Sequence, residues 1–182
     1  MSRAYRIHDQ QALYFITMTV VDWIDLFTRD PNRKIIIQGL EYCRQKKGLN
    51  VYAYVIMTNH IHLIVSTDKS LSAIIRDFKR HTTKMLLVSI QHEVESRRDW
   101  MMMAFANAGK SADRQDVDHQ IWQTGSHAVY LESYKFIAQK LVYIHNNPVR
   151  AGFVDDPTAW VYSSQRNYMG MKGMFEIDLL DI

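Results

Sequence analysis

Apolar side chains recur along this chain with two periods, and the switches between them mark out its elements. Leu13 to Val20 (LYFITMTV) is dense in β-branched and aromatic residues and predicts a first strand. After a loop over 23–29, Asp30-Pro31 supplies an N-cap followed by proline at the first helical position. Ile35, Ile36, Leu40 and Cys43 then recur at helical spacing, and Lys46-Lys47-Gly48 gives a basic last turn and a glycine stop. Val51 to Met57 (VYAYVIM) predicts a buried strand, Thr58-Asn59 a tight turn, and His60 to Ser66 (HIHLIVS) its antiparallel partner.

The period changes again at Ser70. An amphipathic helix runs to about Val88, with Leu71, Ile74, Ile75, Phe78, Met85 and Leu86 on its apolar side, and continues or restarts through Phe105. Residues 108–118 (AGKSADRQDVD) predict a surface loop. Ile121-Trp122-Gln123 and His127 to Leu131 predict a strand or hairpin. Leu131 to about Asn146 predicts a helix with Phe136, Ile137, Leu141 and Ile144 inward. From Pro148 the pattern is irregular, with Trp160-Val161-Tyr162 and Met174-Phe175 as anchors. The order predicts an α+β domain, helices packed on one or both faces of an antiparallel sheet. The stretch beyond residue 118 is too short for a second core, so 1–182 reads as one domain, with 153–182 as an irregular C-terminal extension packed on it.

Composition narrows this only a little. The 182 residues are 47% hydrophobic and 23% charged, with 7 glycines and 3 prolines, which excludes fibrous and disordered classes. The single cysteine, Cys43, permits neither an internal disulfide nor a cysteine zinc cluster. The N-terminus lacks the apolar stretch of a signal peptide, and no apolar run nears the roughly 20 residues that span a bilayer. The expected setting is the cytoplasm, with no membrane partner. A net charge of +3 permits nucleic-acid binding without arguing for it.

Alternation gives the strongest chemical signal. On a strand, His60 and His62 project to one side while Ile61 and Leu63 project to the other. Two imidazoles so placed can share one metal ion, leaving positions for a third ligand, water and substrate. Zinc sites typically take three protein ligands. The Asp-His continuation of metallo-hydrolases is absent, since Leu63-Ile64-Val65 follows. A divalent ion with open positions, Mg²⁺ or Mn²⁺, suits phosphate chemistry.

Met57-Thr58-Asn59-His60-Ile61-His62-Leu63-Ile64-Val65, with Tyr143-Ile144-His145-Asn146-Asn147-Pro148-Val149-Arg150-Ala151-Gly152, resembles the motif pair of single-tyrosine HUH transposases, in particular the REP-associated tyrosine transposase branch. Trp160-Val161-Tyr162-Ser163-Ser164, followed by Tyr168, is similar to that family's C-terminal pattern. Thr58 departs from it, standing where proline is common. The resemblance implies a ferredoxin-like sheet with the histidines on a central strand and the nucleophilic tyrosine on a later helix. It assigns Tyr143 as nucleophile, His60 and His62 as metal ligands and Asn147 as third ligand.

Residues at i and i+4 share a helix face, so Tyr143 and Asn147 can reach one site. Pro148 biases Asn147 out of the α region, which places the helix end near Asn146 and leaves Asn147's direction open, with His145 as the alternative ligand. The implied activity is cutting and rejoining single-stranded or hairpin DNA through a 5′-phosphotyrosine. Two rivals stand beside it: a metal-dependent phosphodiesterase using water, and a non-catalytic DNA-binding relative. Candidate DNA contacts are Arg76, Lys79, Arg80 and Lys84 on the helix after the histidine strand, Arg150 past the tyrosine helix, and Trp122 as a base-stacking side chain. The family includes homodimers whose tyrosine serves the partner's histidines and branches that are self-sufficient; the sequence leaves both open.

Overall fold

The computed structural model describes residues 7–92, 94–111 and 118–181. Its sheet is built from β1 (Tyr14–Thr19), β2 (Leu49–Ile56), β3 (His60–Thr67) and β4 (His127–Tyr130), in the order β2-β3-β1-β4. Every pairing is antiparallel, and β1 and β3 are central. Helix α1 (Asp30–Lys47) connects β1 to β2, and α2 (Leu71–His92) and α3 (Arg98–Ser111) lie between β3 and β4. This is the ferredoxin-like arrangement. Helix α4 (Tyr134–Arg150) follows β4.

The alternating side chains sort into two cores. Ile16, Met18, Ile61, Leu63 and Val65 face α1 and α2, where Ile36, Leu40, Leu71, Ile75, Phe78 and Leu86 meet them. Phe15, Ala53, Val55 and Ile64 face the other way, against Leu141 and Ile144 of α4. His60 and His62 share the parity of Ile64 and so belong to the α4 side.

Local signals place most boundaries. Gly48 stops α1 in the left-handed conformation at φ 74°. Two expectations are corrected. Residues 108–111 continue α3 instead of opening a loop; 112–117 lie outside the described residues. Helix α4 does not end near Asn146 but carries Pro148 inside it and runs to Arg150. Proline's ring is buried there, the Ala151 N–H bonds the Asn147 carbonyl at 3.0 Å, and Gly152 takes φ 74° just beyond. Packing and a closed last turn thus outweigh the local bias before proline.

The C-terminal extension covers the edge that β2 would otherwise present to solvent. The Ile56 N–H donates to the Tyr162 carbonyl at 2.9 Å, Tyr54 N–H to Ser164 Oγ at 3.0 Å, and Val51 N–H to Asp178 Oδ2 at 3.1 Å. Tyr162 and Phe175 are buried, Phe175 stacking on Tyr54 at 4.9 Å, whereas Met174 points outward. Deleting residues 160–182 strips those donors and the aromatic cover. Each orphaned group costs about 1–3 kcal/mol, against roughly 5–15 kcal/mol for a whole domain. The truncated chain is expected to be insoluble or to lack a cooperative melt, which soluble yield and circular dichroism check.

Candidate active site

Both histidines stand on the central strand β3, and each ring is oriented by a different neighbour. His62 lies opposite Thr17, whose Oγ1 is 2.8 Å from Nδ1, and stacks on Phe15 at 5.2 Å. Its Nε2 is buried with no hydrogen-bond partner among the described residues. His60 is set through Asn59. The Asn59 amide nitrogen donates to the Trp23 carbonyl at 3.2 Å and to Asp25 Oδ1 at 3.0 Å, which turns the amide oxygen toward His60 Nδ1 at 2.7 Å. A carboxamide oxygen can only accept, so Nδ1 carries the proton and the lone pair of His60 sits on Nε2. The rings lie 4.7 Å apart. Burial lowers both pKa values, that of His62 to about 3 with His60, Lys140 and His127 adding to the effect, which favours the neutral form that metal binding requires.

Helix α4 brings the rest. Phe136, Lys140, Tyr143 and Asn147 follow at steps of four, three and four residues and form one stripe along it. The Tyr143 ring lies 5.3 Å from that of His62 and 5.9 Å from Phe15, all within one chain. Lys140 Nζ stands 5.5 Å and the Arg150 guanidinium 5.4 Å from the Tyr143 ring centroid. Among the described residues, none hydrogen-bonds the Tyr143 hydroxyl or the Asn147 side chain.

His145 points elsewhere. It is buried, with Nε2 2.8 Å from Ser164 Oγ, and ties α4 to the C-terminal extension. Burial lowers its pKa from 6.5 to about 4. The unfolded chain takes up this proton first, so the stabilisation is complete above pH 6.5 and is lost as pH falls toward 4. The full loss is about 3 kcal/mol. Urea melts of metal-free protein at pH 7 and 4.5 should show this drop, reduced in His145→Gln.

The donor set suits an ion that keeps open positions. It comprises two imidazoles, that of His60 with its lone pair on Nε2, and the Asn147 carboxamide on the α4 stripe that carries Tyr143. Among the described residues no cluster of three or more histidine, cysteine or carboxylate side chains could hold a metal. That set fits Mg²⁺ or Mn²⁺ better than the closed cage of a structural zinc.

The candidate DNA contacts divide. Arg150 stands beside Tyr143. Arg76, Arg80 and Lys84 are exposed, but α2 lies across the sheet from the histidines, and both arginines lean on Asp77 at 3.8 and 3.5 Å. Lys79 is turned inward, donating to the carbonyls of Gln123, at 3.1 Å, and Gly125, and its pKa falls to about 8 through burial. Trp122 is a core residue packed on Phe27 and Phe78, with Nε1 bonded to Thr82 Oγ1 at 3.0 Å, so it offers no face to a base. Sequence reasoning missed Lys140, although the stripe from Phe136 to Asn147 contains it. It also missed the orienting roles of Thr17, Asn59 and Asp25, which depend on contacts distant in sequence.

Fold and site together define a ferredoxin-like domain whose central strand presents a histidine pair to a tyrosine on the helix behind it. Residues 11–108 match the profile of the IS200-like transposases, and the chain belongs to that family of DNA transposases. The matched span includes His60 and His62 and stops short of Tyr143. Among solved structures, one of a REP-associated tyrosine transposase bound to a REP hairpin superposes with a TM-score of 0.62 at 19% identity, over 100% of this chain and 95% of that one, a likeness of fold. A search of curated proteins finds no significant match.

Proposed function

We propose that this chain cuts and rejoins single-stranded DNA with Tyr143 as the covalent nucleophile, assisted by Mg²⁺ or Mn²⁺ held by His60, His62 and Asn147. The observation that carries the reading is the placement of Tyr143 within 5.3 Å of the His62 ring, with Lys140 and Arg150 against the same phenol. A bound divalent ion supplies charge neutralisation at the scissile phosphate. Tyr143 attacks phosphorus, its phenol proton passes to solvent, and the P–O3′ bond breaks to release a 3′-hydroxyl. The 5′-phosphotyrosine keeps the energy of a phosphodiester, so a 3′-hydroxyl can reverse the step without a nucleotide cofactor.

Lys140 and Arg150 offset charge on the phosphate and on the departing or returning tyrosinate. Because nucleophile and histidines come from one chain, the arrangement supports a self-contained site. The solved relative is bound to a REP hairpin, which favours hairpin DNA with a flanking single strand as substrate here. Arg150 is the nearest candidate for gripping that strand. Arg76, Arg80 and Lys84 would meet only DNA remote from the cut.

A nicking assay on labelled hairpin DNA tests the reading. Mn²⁺ should support cutting by the wild type and EDTA should stop it. A hydrolase using water would keep cutting as Tyr143→Phe. Asn59→Ala should lower Mn²⁺ affinity roughly 10- to 100-fold by freeing the His60 ring. Titration calorimetry reads this directly, and an unchanged affinity would remove Asn59 from the site.

A further inference from the structure

Asp22 and Trp23 both hold left-handed backbone, at φ 52° and 54°, the only non-glycine positions among the described residues to do so. That conformation is disfavoured for any side chain with a β-carbon. Trp23 is also 61% exposed, so a large aromatic ring stands in solvent on a strained mount. The mount is nevertheless rigid. The Trp23 N–H donates to the Val20 carbonyl at 3.2 Å, the Val20 N–H to the Asn59 carbonyl at 2.9 Å, and the Asn59 amide returns a bond to the Trp23 carbonyl. The indole meets the His60 ring edge-on at 6.2 Å. Trp122, by contrast, is core, and Trp100 is exposed on regular helix α3.

Strain held in a well-bonded segment beside a reactive centre points to use of the side chain it displays. We propose that Trp23 forms a nucleobase subsite, stacking on the unpaired base next to the phosphate that is cut. The inference rests on the strand-transfer reading, which puts single-stranded DNA across His60. An indole face accepts any base, so the subsite positions the strand without selecting its sequence.

The test uses the full chain in EDTA with single-stranded oligothymidylate of about 20 nucleotides as probe. Binding should quench tryptophan fluorescence in the wild type. Trp23→Ala and Trp23→Gly should each weaken binding roughly 5- to 150-fold, and Trp23→Tyr should restore most of it. Glycine adopts φ 54° freely, so Trp23→Gly should melt at the same temperature or higher while binding less well. A merely structural tryptophan gives the reverse: a lower Tm with affinity intact. Oligothymidylate that fails to bind the wild type, or binds Trp23→Ala equally well, overturns the proposal. Metal-free binding does not require the Tyr143 hydroxyl, so Tyr143→Phe should match the wild type here. A missing covalent adduct beside Trp23-dependent binding would therefore sink the strand-transfer reading alone.

Discussion

Tyr143→Phe is expected to lose both DNA cleavage and the covalent protein–DNA adduct, a drop of roughly 10⁴-fold or more in cutting rate, as befits removal of a covalent nucleophile. The hydroxyl has no hydrogen-bond partner among the described residues, so its removal leaves no buried group unsatisfied. The ring keeps its contacts with His62 and Phe15. Stability should therefore stay within about 0.5 kcal/mol of the wild type. Cleavage kinetics on hairpin DNA and a thermal melt, taken together, separate loss of chemistry from loss of fold. A variant that still cuts would return the site to a water-using phosphodiesterase.

The second large effect falls on His62. His62→Ala removes the buried Nε2, the stack on Phe15 and the partner of Thr17 Oγ1. Detectable Mn²⁺ binding should disappear and cleavage should fall at least about a hundredfold, the outer limit for losing only an orienting partner. The cavity and unpaired hydroxyl should also lower stability by about 2–4 kcal/mol. Thr17→Val separates the two consequences. It keeps the ring and the packing while deleting the hydrogen bond, so the stability loss should be only the about 1–3 kcal/mol of one orphaned ring nitrogen, with no cavity, and Mn²⁺ affinity should drop roughly tenfold or more. Electron paramagnetic resonance of Mn²⁺ gives both affinities without a cleavage assay. Unchanged Mn²⁺ binding by His62→Ala would remove the histidine pair from the metal site.

Much of the fold and of the placement of the candidate site residues was legible in the sequence because it depends on short-range periodicity. A two-residue repeat put His60 and His62 on one face of a strand, and a four-residue step put Tyr143 and Asn147 on one face of a helix. Failures came where distant contacts decide. The sequence before Pro148 argued for a helix end near Asn146, but the buried proline ring and the turn closed at Gly152 extend α4 and keep Asn147 on the tyrosine stripe. Lys79 fitted a solvated helix face until the carbonyls of Gln123 and Gly125, some forty residues on, took its ammonium. Trp122 lay in a short apolar run, which cannot distinguish a core ring from a stacking one. Left-handed backbone at Asp22 and Trp23 carries no residue signal, since neither is glycine.

The candidate site depends on parts beyond the histidine pair: a His60 tautomer fixed by Asn59, a His62 ring held by Thr17, and a phenol flanked by two cations. The central claim is that Tyr143 bonds to DNA. Mass spectrometry of the protein after incubation with single-stranded hairpin DNA and Mn²⁺, followed by nuclease and protease digestion, tests it most directly. A nucleotide attached through its 5′-phosphate to the peptide carrying Tyr143, with a free 3′-hydroxyl on the released strand, is the predicted result. Cut DNA with no modified tyrosine, or with the nucleotide on another residue, would contradict it.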